Sequence, residues 1–258
     1  MTSPRIHVQD LKKRYVVWHD RPRSFKDAVV RRLTRAVINR EDFWALKGVS
    51  FDIRPGEAVG IIGPNGSGKS TTLGLVGKVL RPTSGVCEVN GRISILMEAG
   101  VGFHEDLTGI ENIYLSGSLL GMRRREIREK IDHIIDFAEI HDFVDTPVRM
   151  LSSGMYMRLG FSVAVHLDPD ILLVDEVLAV GDEAFHHKCR RRLADFRDNG
   201  GAVMFVSHRM AEVKWLCDRV IWMQDGLVRQ DGPAGEIVEA YIAENEPEQN
   251  ELDDECLV

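Results

Sequence analysis

The sequence has little cysteine, no long apolar run and a deficit of positive charge. Its four cysteines, Cys87, Cys189, Cys217 and Cys256, include no CxxC pair, which leaves no basis for a zinc ribbon or a disulfide framework. No stretch approaches the roughly 20 consecutive apolar residues that span a bilayer. Met1 to Asp10 lack the apolar core of a secretory signal, so a cytoplasmic location is expected. Against 40 Asp and Glu there are only 33 Lys and Arg, a net charge of −7, which argues against nucleic acid as a general partner. Internal repeats are absent. What is present suits a folded chain: 44% of the residues are apolar, 28% charged and 7% aromatic. At this length about 70–75% of the unfolded surface can be buried without a covalent staple.

Arg5 to Val17 reads as a strand with Val8, Leu11, Tyr15 and Val17 as its bulk, and Leu46 to Ile53 as a second, ended by Arg54-Pro55-Gly56. Between them, Phe25, Val29, Leu33 and Val37 recur every four residues, so Arg21 to Arg40 is expected to be a helix with one apolar stripe. Its other face carries Arg23, Lys26, Arg31, Arg32, Arg35 and Arg40. Ala58 to Ile62 is a short apolar run that enters a glycine-rich turn and then an expected helix from Lys69 to Leu80. From Gly102 to Gly160 the period becomes helical, with Ile127, Ile131, Ile134, Ile135 and Ala138 on one face. Ile171 to Val174, ending in Asp175-Glu176, and Ala202 to Val206, ahead of Ser207-His208, read as buried parallel strands. Strands alternating with helices place the chain in the α/β class. Glu244 to Val258 is acidic and poor in bulky apolar residues, an expected solvated tail.

Gly63-Pro64-Asn65-Gly66-Ser67-Gly68-Lys69-Ser70 fits the phosphate-loop pattern and extends to Thr71. Glycines let consecutive backbone N–H groups converge on phosphate oxygens at a helix N-terminus. Lys69 is the candidate to hold the β- and γ-phosphates of ATP, and the Ser70 hydroxyl to join a Mg²⁺ shell, since a hard cation takes oxygen ligands. The strand ending in Asp175-Glu176 supplies two carboxylates for different tasks: Asp175 for Mg²⁺, and Glu176 to orient or deprotonate the attacking water. Leu151-Ser152-Ser153-Gly154-Met155 reads on its own as a helix N-cap, where Ser is favoured.

Taken together, the phosphate loop, the serine loop after a helical insertion and the second acidic strand resemble the ATP-binding cassette family over about residues 5 to 243. The resemblance implies one ATPase domain over 1–243, with a RecA-like core, an antiparallel β subdomain over 5–60 that carries the basic insertion 21–40, and an α-helical subdomain over 102–160. The acidic tail is then 244–258. It also implies a homodimer in which Ser152, Ser153 and Gly154 of one copy face the γ-phosphate held by the other. His208 matches the family's switch histidine, and Ala179-Val180-Gly181-Asp182 its interface loop, with Asp182 facing the opposite site. Tyr15 matches the aromatic that stacks on adenine, with Trp18 as a rival. Where most members carry a glutamine that reaches Mg²⁺, this chain has Glu98.

The segments Glu98 to His104, Leu107 to Asn112, Ser153 to Leu159 and Asp175 to Asp182, with Phe43-Trp44-Ala45-Leu46 after the basic insertion, are similar to one branch of the family, the ATPases of surface-polysaccharide exporters of the O-antigen, teichoic acid and capsule kinds. That implies a separate polytopic membrane subunit, a place on the cytoplasmic face of the plasma membrane, and a lipid-linked glycan as cargo. The arginines of 21–40 either form a solvated face or meet anionic headgroups or the pyrophosphate of that glycan. Ile113, Tyr114 and Leu115 are candidates for the groove that receives the membrane subunit, or for lobe core. The alternative within the family is a cassette ATPase acting on ribosomes or chromosomes. A kinase or GTPase leaves Ser152 to Met155 and His208 without purpose, and no Asn-Lys-x-Asp motif is present. Glu244 to Val258 alone cannot form a sugar-reading domain, so any recognition of finished polymer is expected to lie elsewhere. His186 and His187, near Cys189, are expected to be exposed helix residues rather than metal ligands.

Overall fold

In the computed structural model, residues 3–18, 40–96, 102–166, 169–175 and 182–245 are described. The strands, in chain order, are β1 (Ile6–Trp18), β2 (Arg40–Ile53), β3 (Ala58–Ile62), β4 (Ser84–Val89), β5 (Ile93–Leu96), β6 (Ile171–Asp175), β7 (Ala202–Val206), β8 (Arg219–Gln224) and β9 (Leu227–Pro233). The helices are α1 (Lys69–Val76), α2 (Gly109–Leu119), α3 (Arg124–Ala138), α4 (Ser153–His166), α5 (Glu183–Asp198), α6 (Met210–Leu216) and α7 (Ala234–Asn245).

Two sheets form, one of three strands in the order β2-β1-β4 and one of six in the order β5-β6-β7-β3-β8-β9. In the larger sheet, β5 through β8 run parallel and only β9 is antiparallel. Its central strands are continuous apolar runs, broken only by Asp175 at the end of β6, because both faces are covered. Leu172, Val174, Val203 and Phe205 enter one core cluster with Phe161, Phe185 and Trp222. Their neighbours Ile171, Leu173, Ala202, Met204 and Val206 enter a second with Ile6, Leu11, Leu46 and Leu73. A third cluster, built on Ile113, Ile127, Ile134 and Leu159, belongs to the helical lobe. Helix α4 joins lobe to core, since Leu159 and Val163 lie in the lobe cluster while Phe161 and Val165 lie in that of the sheet.

Several expected boundaries move. Arg40 is the first residue of β2 and pairs with Trp18, so it extends the hairpin and does not close a helix; positions 21–39 of the basic insertion lie outside the described residues. Ala58 to Gly60 belong to the parallel sheet, and the third strand of the β layer is β4, outside the expected 5–60 span. Helix α1 stops at Val76, four residues short of Leu80, where Lys78 takes a left-handed conformation (φ 60) and the Leu80 N–H donates back to the Gly74 carbonyl. Helix α4 runs past Gly160 to His166. Helix α7 holds Glu244 and Asn245, and Glu244 meets the Arg229 guanidinium, which gives these two tail residues order; the remainder, 246–258, lies outside the described residues.

Candidate functional site

The loop between β3 and α1 is pressed against its surroundings. Gly63 has φ 144, and a Cβ there would come within 2.1 Å of the Met223 carbonyl oxygen of β8. At Gly68, with φ 104, a Cβ would lie 2.6 Å from Leu46 and 2.8 Å from the Ala45 carbonyl oxygen. Neither position tolerates a side chain, by backbone conformation or by space. Lys69 is buried, and its Nζ donates to the carbonyls of Gly63 and Pro64 at 2.8 and 2.9 Å. The ammonium thus closes the loop from within. Helix α1 begins at Lys69, so its first backbone N–H groups have no partner inside the helix. Among the described residues the buried Ser67 hydroxyl has no hydrogen-bond partner. Both features suit an anion with several oxygens seated in the loop.

A cavity of about 350 Å³ opens on this loop. Asn65, Gly66, Gly68, Lys69, Ser70 and Thr71 form one side of its lining, and Tyr15, Asp175 and His208 also border it. Gly63, Pro64 and Ser67 shape the loop behind that lining. Asp175 is the last residue of β6 and pairs with Val206 of β7. His208 follows two residues later, after the buried Ser207, whose Oγ accepts the Arg209 N–H at 3.0 Å. The C-terminal ends of three adjacent parallel strands, β6, β7 and β3, therefore deliver the acid, the histidine and the phosphate loop to one place, where open α/β sheets bind ligands. A Ser hydroxyl and an Asp carboxylate on one cavity wall are a fitting donor set for Mg²⁺, which keeps few protein ligands beside phosphate oxygens. Glu98 and Glu176 lie outside the described residues. Trp18 closes β1, and its side chain is likewise outside them.

Phe43 and Ala45 also line the cavity, and neither had a role assigned from the sequence. Their signal was the Phe43-Trp44-Ala45-Leu46 motif, legible as a pattern but not as a location.

Ser152, Ser153, Gly154 and Asp182 are not part of this lining. Ser152 caps α4, its Oγ accepting the Met155 N–H at 3.2 Å. Behind this loop Arg158, on α4, donates to Glu139 at 3.0 Å and to Asp182 at 2.7 Å and lies 4.9 Å from the Phe185 ring centroid. Asp182 caps α5. The Phe185 N–H, followed by the nearby Arg158 charge, holds its carboxyl below the usual range. Arg158 therefore joins the serine-loop helix to the start of α5, a link the sequence reading missed.

Two further expectations change. His186 is largely buried rather than exposed, with Nε2 3.3 Å from a Glu212 carboxylate that also meets Arg209; among the described residues no cluster of His, Cys, Asp and Glu suits a metal ion. Ile113 is fully buried in the lobe, so it is core and not groove, while Tyr114 and Leu115 are half-buried.

Residues 46–179 match the family model described as ABC transporter. The chain is 44% identical over 239 residues to an O-antigen export system ATP-binding protein of Klebsiella pneumoniae, covering 92% of this chain and 97% of that one. A teichoic acids export ATP-binding protein of Listeria innocua is 47% identical over 201 residues, 78% of this chain and 60% of the relative. Among solved structures, an ATP-binding subunit of an ABC transporter superposes with a TM-score of 0.74 at 21% identity, over 92% of each chain. A bacterial ABC transporter cassette solved as a dimer gives 0.70 at 24%, over 89% of this chain and 98% of the other. These two structures share the fold.

Proposed function

The chain belongs to the ABC transporter family, and we propose that within it the protein is the ATP-hydrolysing subunit of an exporter of lipid-linked polysaccharide, working as a homodimer beneath a separate polytopic membrane subunit. One observation carries the dimer: the phosphate loop, Asp175 and His208 share a cavity, while Ser152 to Gly154 stand outside it at the start of another helix. A helix N-terminus carrying hydroxyls and a glycine is suited to a phosphate, and the phosphate it meets is the one held by a second copy. The relatives named for O-antigen and teichoic acid export support the cargo class.

In this reading Lys69 exchanges the carbonyls of Gly63 and Pro64 for the β- and γ-phosphates. Tyr15 receives the adenine. Ser70 and Asp175, with Glu98, would hold Mg²⁺, which would supply neutralisation of phosphate charge. Glu176 takes a proton from the attacking water, His208 donates to the γ-phosphate, and Asp182 of one copy faces the other's site. No helix among the described residues is long and apolar enough to cross a membrane; the proposed place of the subunit is peripheral, on the cytoplasmic face. The arginines of segment 21–40 are the proposed contact for the glycan's phosphates, a role that is lost if Arg31→Glu, Arg32→Glu and Arg35→Glu together leave export unchanged.

The test of the dimer is light scattering on Glu176→Gln with and without MgATP. A nucleotide-dependent doubling of mass is expected, and a monomer at all ATP concentrations refutes the shared site. For the cargo, disruption of the gene should leave lipid-linked glycan on the cytoplasmic side; unaltered surface polysaccharide refutes the export role.

A further inference from the structure

Phe43 borders the cavity without a part in the chemistry above, and the register of β1 against β2 explains how it comes to be there. Lys13 faces Leu46, yet Arg14 faces Trp44. One step along β1 thus answers to two along β2, and Ala45 is the extra residue of a β-bulge, a device that re-aims side chains beside sites. The bulge sits on the phosphate loop, since a Cβ on Gly68 would lie 2.8 Å from the Ala45 carbonyl oxygen. Two residues before it, Phe43 stands directly across from Tyr15, and both border the same cavity.

The two faces of this hairpin end differ. Arg14, Asp42 and Trp44 serve one another: Arg14 Nη1 donates to Asp42 at 2.8 Å, and the guanidinium lies 5.8 Å from the Trp44 ring centroid. On the other face the Tyr15 ring has the Lys13 ammonium 5.1 Å from its centroid, and that ammonium is itself fixed by the Arg81 carbonyl at 2.8 Å. Phe43 remains 51% exposed. A phenyl ring half in water, beside a held tyrosine and above a phosphate loop, presents an apolar π-face at the place where a nucleotide's base must go.

We propose that Phe43 is a second base-binding residue, forming with Tyr15 a two-ring platform for the purine of the bound nucleotide. The inference rests on the nucleotide reading of the cavity. Aromatic stacking is tolerant of base identity because every base has a π-face. Phe43 therefore sets affinity for the purine and does not select adenine over guanine.

Equilibrium binding of MgATP, MgGTP and magnesium tripolyphosphate to the full chain and to Phe43→Ala separates the possibilities. Loss of one stacking partner should weaken ATP and GTP by a common factor of about 5–10, leave tripolyphosphate unchanged, and raise KM for ATP with kcat unaltered. Phe43→Trp should retain ATP affinity. Unchanged ATP affinity in Phe43→Ala overturns the proposal; so does equal weakening of all three ligands, which means that Phe43 shapes the loop instead. If the alanine variant melts early, Phe43→Leu keeps apolar bulk, removes the ring and gives the same separation. Lys69→Ala tests the underlying reading independently, because it should weaken tripolyphosphate and ATP alike. Undiminished binding there refutes the phosphate loop whatever Phe43 does.

Discussion

Gly68 and Gly154 each stand at the beginning of a helix, yet a methyl group would meet very different surroundings at the two. At Gly68 it would collide with Leu46 and the Ala45 carbonyl, on a backbone with φ 104. At Gly154 its nearest neighbour among the described residues would be the Ser152 Oγ at 3.9 Å, an ordinary contact. Glycine inside a helix costs about 1 kcal/mol relative to alanine, so the first glycine is required by its own chain and the second is not. The contrast fits the proposed shared site, in which the serine loop answers to a surface outside its own chain. The proposed nucleotide of a second copy is such a surface, which could approach the backbone closely only where no Cβ stands.

The largest effect is expected from Glu176→Gln, which should keep ATP binding while lowering turnover about 10²- to 10⁴-fold, the range for loss of a general base. Holding the two halves on a shared nucleotide, it should also accumulate the dimer; full turnover in this variant removes Glu176 from its role. Next, Gly68→Ala should destabilise the isolated chain by about 2–4 kcal/mol through strain and collision, read as an earlier thermal transition without ligand. An unchanged transition would mean that the cradle relaxes more freely than its packing implies.

A pH effect of roughly 1–3 kcal/mol is expected at the far end of the serine-loop helix. There, burial pushes the His166 pKa down from 6.5 to about 4, and its Nδ1–H donates to the Ser162 carbonyl at 2.8 Å. The folded chain resists a proton that the unfolded chain accepts below 6.5, so stability should fall as pH drops from 6.5 toward 4 and then stop responding to this group. Denaturant titrations of the wild type and His166→Gln across that window should show a shallower slope in the variant; parallel slopes refute the assignment. The smallest stability change belongs to Gly154→Ala, which should leave the single chain unchanged or raise its stability by up to about 1 kcal/mol. Placed in the Glu176→Gln background, it should nonetheless weaken the ATP-dependent dimer. A variant that dimerises as well as its parent would show that no close approach occurs at this glycine.

The phosphate loop was legible from the sequence because its chemistry is local: consecutive N–H groups converging on one anion must come from consecutive residues. The strands Ala58–Ile62 and Ala202–Val206 were legible for a related reason, since a strand covered on both faces is a continuous apolar run. By contrast, Ser84–Val89 and the extension of β2 back to Arg40 carry mixed, half-exposed residues, and they are strands because β1, distant in sequence, supplies their hydrogen bonds. The same separation holds within the site. Local spacing was enough to single out residues 63–71, an acidic strand end and a histidine, and the loop, Asp175 and His208 border one cavity. Tertiary packing was needed to show that a bulge at Ala45 brings Phe43 to the cavity, that Arg158 ties the serine-loop helix to Asp182, and that Gly154 lies open among the described residues where Gly68 is enclosed. Spacing along a chain encodes hydrogen-bond geometry a few residues wide, whereas these juxtapositions depend on which strand lies beside which, and that is fixed by the burial of the whole core.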